Sequence, residues 1–216
     1  MKKLIRSAKP LCLNNYQHGV HNWAAVTPVD KQDVWKQFDV MQYGFCAYCE
    51  CFLTGKHIEH FKDKDSSPRE TFEWRNLFGS CDESNRCGHY KDSRKAKPYN
   101  ISDILKPDTD NVNDYLIYLT NGNVVARSGL TQVQKFRATE TIRVFNLNGD
   151  TSIVNRRKTS FRNIKVNVDT LYEMISEFDD VEWLALLKTE IDDLKNCKVE
   201  FQTAMEHAWR YNKQFV

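Results

Sequence analysis

The sequence predicts an α+β fold, and three features carry that expectation. A cysteine- and histidine-rich stretch, Cys46 to Lys91, breaks into short strand-like pieces followed by a helix-like one. Tyr115–Thr120 alternates apolar and polar residues, meets Asn121-Gly122, and resumes as Asn123–Ala126, which is the pattern of a hairpin. From residue 129 onward, apolar residues recur mostly at helical spacing. The chain divides accordingly into an N-terminal packing segment (1–40), a core (41–97), and a hairpin with a mostly helical C-terminal region (98–216).

Each element has a local reason. Asp30 is placed to cap a short helix that carries Val34, Trp35 and Phe38, with Pro28 as the break before it. His18 and His21 have no acidic or thiol neighbour in sequence and read as surface histidines. In the core, strands are expected around His57–Phe61 and Phe72–Trp74, joined by the polar run Lys62–Glu70. A helix is expected after Cys87, carrying His89 and Lys91 and ending before Pro98, because proline disfavours helix in the residue ahead of it. Asn121-Gly122 suits a type I′ turn. Thr131 onward sets Val133, Phe136, Glu140 and Val144 near helical spacing, and Asp169 reads as an N-cap. Leu184, Leu187, Ile191 and Leu194 form a stripe, and Phe201, Met205, Ala208 and Trp209 suggest a last helix. An acidic, apolar-rich helix is expected over Glu173–Asp193 and offers a face for a partner.

Composition narrows the function. Hydrophobic residues make up 41% of the 216 and aromatics 12%, which suits a packed globular chain. The net charge is only +2, so attraction to phosphate must come from local clusters. No apolar run approaches the ~20 residues needed to span a bilayer, and the basic start is followed by no signal-peptide stretch. No P-loop glycine pattern occurs. Seven cysteines is an odd number, which favours a reducing cytoplasm over a disulfide framework.

The chemistry concentrates between residues 46 and 91. Cys46 and Cys49 form one pair, and Cys81 and Cys87 a second with a longer spacing. Four thiolates close a tetrahedral structural zinc site. Cys51 is an alternative ligand, whereas Cys12 and Cys197 read as buried thiols. Glu59, His60, Asn76 and His89 are the residue types that metal-dependent phosphodiester hydrolysis needs. An imidazole accepts a proton from water near neutral pH, and a divalent ion offsets charge on the phosphate. His57 is a rival to His60, but three residues apart on a regular strand they face opposite ways. Lys62, Lys64, Arg86, Lys91, Arg94, Lys95 and Lys97 surround the motif and can neutralise phosphates. A second cluster comprises Arg156, Arg157, Lys158, Arg162 and Lys165. Nothing suggests a stacking platform or a recognition helix, so little sequence specificity is expected.

The wording Cys-Ala-Tyr-Cys-Glu, Ile-Glu-His-Phe-Lys, Trp-Arg-Asn-Leu-Phe-Gly-Ser-Cys and Cys-Gly-His-Tyr-Lys resembles an HNH endonuclease core, the ββα-metal fold. In particular it is similar to the retron-associated and Septu-type HNH endonucleases of bacterial anti-phage defence. Thr-Ile-Arg-Val-Phe-Asn-Leu-Asn at 141–148 and the Arg-bearing segment after it fit the same family more loosely. The resemblance implies that His60 activates water, that Glu59 and His89 hold catalytic Mg²⁺ or Mn²⁺, and that Asn76 orders the site. It implies DNA or transfer RNA as substrate, products with 5′ phosphates and 3′ hydroxyls, and a bacterial cytoplasmic setting. The implied partners are an ATPase subunit and, in some systems, a retron reverse transcriptase with its RNA–DNA product. Two departures from common HNH wording stand out: Glu59 where many cores have Asp, and Gly88 between the last cysteine and His89. A catalytically silent zinc module that docks nucleic acid or the ATPase is the alternative.

Overall fold

The computed structural model describes residues 1–211. It is α+β, with six α-helices and two small antiparallel hairpins among those residues. Helix α1 (Pro28–Gln42) buries Val34, Phe38 and Met41. Its N-cap is Thr27, whose hydroxyl accepts from the Asp30 amide, so Asp30 sits inside the first turn rather than capping it. Strands β1 (Lys56–His60) and β2 (Leu77–Cys81) pair antiparallel, with His57 opposite Ser80 and Glu59 opposite Phe78. The second strand therefore lies later than Phe72–Trp74. Those aromatics end the loop, and Trp74–Asn76 forms a 3-10 turn that feeds β2.

Helix α2 (Cys87–Asp92) follows and packs on both strands. The hairpin thus has a helix on each face. On the α1 face, the Gln42 side chain brackets Gly79, donating to its carbonyl at 2.8 Å and accepting from its amide at 2.8 Å. On the α2 face, the Gly88 amide donates to Ser80 Oγ at 3.2 Å. Those two contacts fix which strand residues look toward which helix.

Strands β3 (Leu116–Tyr118) and β4 (Val124–Ala126) form the second hairpin. Its turn is not type I′, because Gly122 but not Asn121 has positive φ. The Gly122 amide donates to the Leu119 carbonyl, and the Leu119 amide to Asn123, which is a turn closed by a glycine bulge. A Cβ at Gly122 would lie 2.1 Å from the Val154 carbonyl, so close packing also requires glycine here.

Helices α3 (Gln132–Val144), α4 (Thr151–Glu173), α5 (Asp180–Asn196) and α6 (Gln202–Tyr211) complete the chain. Thr131 and Gln134 make a reciprocal capping box on α3. Asp150 and Asp179 cap α4 and α5, and Asp169 lies within α4, where it pairs with Lys165. Helix α3 buries Ala138, Thr141 and Val144, leaving Val133 and Phe136 outward. Of the α5 stripe, Ile191 is buried, Leu187 and Leu194 pack on the core edge, and Leu184 is exposed. Helix α6 buries Phe201's neighbours Met205, Ala208 and Trp209 against α4 and α5. One apolar cluster runs from the N-terminal segment through the cysteine-rich unit to α6. No helix among the described residues is long and apolar enough to cross a membrane.

Candidate metal centre and active site

Cys46 and Cys49 reach the β1–β2 unit from the loop after α1. Cys81 ends β2, and Cys87 opens α2. Their four sulfurs are buried and lie within 4.8 Å of one another, a donor set that can hold zinc. Burial opposes ionisation of Cys49, but hydrogen bonds from the neighbouring thiols hold it well below the usual thiol range. Cys51 Sγ is 3.2 Å from Cys49 yet lies outside the four-sulfur group. Cys12 is buried as expected, whereas Cys197 is exposed at the end of α5.

Arg86, one residue before Cys87, is turned inward. It is only 6% exposed and ion-pairs with Asp150. Burial lowers its affinity for a proton, but the thiols and Asp150 raise it further. A guanidinium so placed offsets thiolate charge and has no face to offer a nucleic-acid phosphate. Lys91 is likewise unavailable: it is fully buried and ion-paired with Glu59 and Asp92. Lys62 pairs with Glu70 at 2.8 Å, and Arg157 donates to the Gly122 and Leu147 carbonyls from inside the core. Arg156 pairs with Glu200. Lys64, Arg94, Lys95, Lys97 and Arg162 stand exposed.

Strand alternation divides the remaining site residues between two faces. His60 looks toward α1 and the N-terminal segment. Its Nε2 lies 3.1 Å from the Thr71 carbonyl, and the Trp23 ring meets it edge-on at 4.6 Å. His60 is 2% exposed, and burial, with Lys64 adding to it, pushes its pKa down to about 4. It is therefore a neutral imidazole at pH 7. Asn76 ties the ends of the long loop together. Its Oδ1 accepts from the Lys62 amide at 2.8 Å, and its Nδ2 donates to the Lys62 and Glu70 carbonyls at 3.0 and 3.1 Å. Such a two-way amide clamp needs both a donor and an acceptor on one short side chain.

Glu59 looks the other way, toward α2, so it does not share a face with His60. Its Oε1 is 2.9 Å from Lys91 Nζ, and its Oε2 is 3.2 Å from His57 Nε2. Burial pushes the Glu59 carboxyl up, but Lys91 and His57 more than offset this and hold it below the usual carboxylate range. Gly88 has no side chain for a physical reason: a Cβ there would lie 2.3 Å from Glu59 Oε2. The residue between Cys87 and His89 thus makes room for this carboxylate. Replacing Lys91 with Met leaves Glu59 as a buried, half-paired charge. A loss of about 3–5 kcal/mol in urea unfolding is expected, because breaking a buried pair is costly. The double variant Lys91→Met, Glu59→Gln is expected to recover most of it.

His89 lies on α2 beside this pair. Its ring stacks on His57 with centroids 4.0 Å apart, and its Nε2 is 2.6 Å from Asp82 Oδ1. His57, Asp82 and His89 come together from β1, from the residue after β2, and from α2. Sequence reasoning passed over His57 because it faces away from His60, and that geometry is what the strand shows. Asp82 was missed altogether. The available signal was its place immediately after Cys81, which puts it at the mouth of the hairpin beside the start of α2.

No protein-family model matches the chain. Over 75 residues it is 33% identical to the Septu protein PtuB of Bacillus thuringiensis, a stretch amounting to 33% of this chain and 27% of that protein. The likeness to a Septu protein thus covers about a third of the present chain and about a quarter of its relative.

Proposed function

We propose that the chain is a divalent-metal-dependent HNH-type endonuclease that serves as the effector of a Septu-type anti-phage defence system, beside an ATPase subunit. The observation that carries this reading is the β1–β2–α2 unit. It gathers a four-cysteine zinc group, a loop clamped by Asn76, and imidazoles and carboxylates where β1 meets α2. The likeness to a Septu protein supports the defence setting. Zinc would hold Cys46, Cys49, Cys81 and Cys87 together and so fix the angle between the strand and the helix. His89, with Glu59 behind it, would help hold a divalent ion at the β1–α2 junction, and that ion would supply charge neutralisation for the phosphate and leaving oxygen.

The protein's own groups do the rest. The Thr71 carbonyl orients His60, the neutral base of this reading; because its ring faces away from the β1–α2 junction, the end of β1 must turn it toward the ion before it takes the proton of the attacking water. Trp23 covers that imidazole, so its edge contact has to loosen before water reaches the ring. Asn76 keeps the loop that carries Thr71 in register with β1. Near the motif, Lys64, Arg94 and Lys95 are exposed cations that can meet the phosphate backbone, and Lys97, also exposed, lies 3.8 Å from Asp63. Duplex DNA and bulk transfer RNA, each incubated with the purified chain and Mg²⁺, Mn²⁺ or EDTA, test the reading and name the substrate. The ATPase subunit is added in a parallel series. Divalent-dependent cleavage of one substrate is expected. Silence in every arm, with the ATPase present, would leave a zinc module without enzymatic activity.

A further inference from the structure

The junction of β1 and α2 contains two kinds of acidic group. Glu59 is fully buried, neutralised by Lys91 and walled in by the Gly88 backbone. Both of its oxygens are already paired, Oε1 with Lys91 at 2.9 Å and Oε2 with His57 at 3.2 Å. Asp82 is the opposite case. Its side chain is 57% exposed, and it stands with His57 (27%) and His89 (38%) at the solvent edge of the same junction. One ligand atom from each of the three lies within 4.8 Å of the others.

Several details fit this trio to a cation. The two imidazoles are stacked, with ring centroids 4.0 Å apart, which brings a nitrogen of each beside the Asp82 carboxylate. His57 spends Nε2 on the Glu59 carboxylate, which leaves Nδ1 as its second ring nitrogen. A buried carboxylate behind an imidazole is how metal-ligating histidines are oriented and made more basic. The three ligands come from three separate elements, all fixed by the four-cysteine group nearby. Two imidazoles and one carboxylate suit a borderline transition-metal ion better than Mg²⁺, which prefers oxygen donors and near-octahedral hydration. Three protein ligands at a solvent edge also leave coordination positions for water or a phosphate oxygen.

We propose that His57, Asp82 and His89 form a divalent transition-metal site, with Glu59 acting on the ion only through His57. This deepens the nuclease reading by naming the ligands and class of its ion, and it replaces Glu59 as a direct ligand. The site rests on the geometry of the junction and does not require that the chain cleave anything.

The test uses the full, untagged, zinc-loaded chain and titrates it with Mn²⁺, following free ion by electron paramagnetic resonance. Mn²⁺ is chosen because a four-thiolate zinc site does not exchange readily for it. The wild type is expected to bind one Mn²⁺ per chain. His57→Gln and Asp82→Asn are each expected to weaken binding by at least about tenfold, with zinc content and melting temperature unchanged. Glu59→Gln is expected to weaken it less than either, as the loss of an outer partner does. No Mn²⁺ binding by the wild type overturns the proposal. So does wild-type affinity in both His57→Gln and Asp82→Asn, or loss of binding in Glu59→Gln alone. Cleavage is not read here, so a chain that binds Mn²⁺ yet cuts nothing sinks the nuclease reading and leaves the site standing.

Discussion

A chain carrying His60→Ala is expected to lose about 10²–10⁴-fold of its divalent-dependent cleavage, the usual contribution of a positioned general base. Three features of His60 set that expectation. It is the last residue of β1, its ring is fixed by the Thr71 carbonyl, and it is neutral at pH 7. The substitution also removes one hydrogen bond and an aromatic edge contact, worth about 1–3 kcal/mol together when a buried partner is left unpaired. Thermal melts therefore belong beside the kinetics. A variant that melts close to the wild type but cuts 100-fold more slowly assigns the loss to chemistry. Wild-type rates from a folded His60→Ala chain would remove His60 from the reaction and revive the silent-module reading.

Cys87→Ser is expected to have the largest effect on stability. Structural zinc contributes apparent binding free energies of about 10–16 kcal/mol in zinc-finger peptides at neutral pH, and that energy is folding energy. Cys87 is the residue where the zinc group joins α2. Its amide also donates to the Phe145 carbonyl at 2.9 Å, so it ties the unit to the end of α3. A serine keeps the backbone bond and removes the thiolate. Zinc analysis is expected to fall from one ion per chain toward none, and the melting transition to drop sharply or lose cooperativity. If the four thiols were ordinary buried cysteines, the same change would cost only about 1–3 kcal/mol and leave no zinc to lose. Cys51→Ser is the matched control. Cys51 lies outside the four-sulfur group, so zinc is expected to be retained.

Some of this was legible in the sequence and some was not. The four cysteines were, because sulfur ligands in two pairs announce themselves by residue type and spacing, and the fold brings together the pairs that were read. The α+β class was legible, and so were the last helices except at Glu173–Asp180, where a break and the Asp179 cap divide the single helix expected over Glu173–Asp193 into the end of α4 and α5. Turn chemistry was only half legible: Asn121-Gly122 marked the hairpin, but the backbone of Val154 and Lys158 crowds Gly122 and decides how it is used. Strand β2 was misplaced because aromatic residues signal strands and packed loops alike, and Phe72 and Trp74 belong to the loop. The least legible features were pairings across long sequence distances. Nothing near Arg86 announces Asp150, 64 residues on, and nothing near Lys91 announces that it is fully buried against Glu59. Both cations therefore looked like phosphate contacts. The separation of Glu59 from His60 could have been read from the alternation that separated His57 from His60. Applied to adjacent residues, the same rule puts Glu59 with His57 and sets Asp82 and His89 within their reach.

The proposed hydrolysis of phosphodiester bonds by a metal-assisted water would leave its signature in the ends of the products. End-group analysis of cleavage products tests it most directly. Uniformly labelled duplex DNA and transfer RNA are incubated with the zinc-loaded chain and the proposed ATPase partner in Mn²⁺, and the fragment ends are identified. The account predicts 5′-phosphate and 3′-hydroxyl ends that vanish with EDTA and with His60→Ala. Fragments ending in 2′,3′-cyclic phosphate, fragments that persist in EDTA, or intact substrate throughout would contradict it.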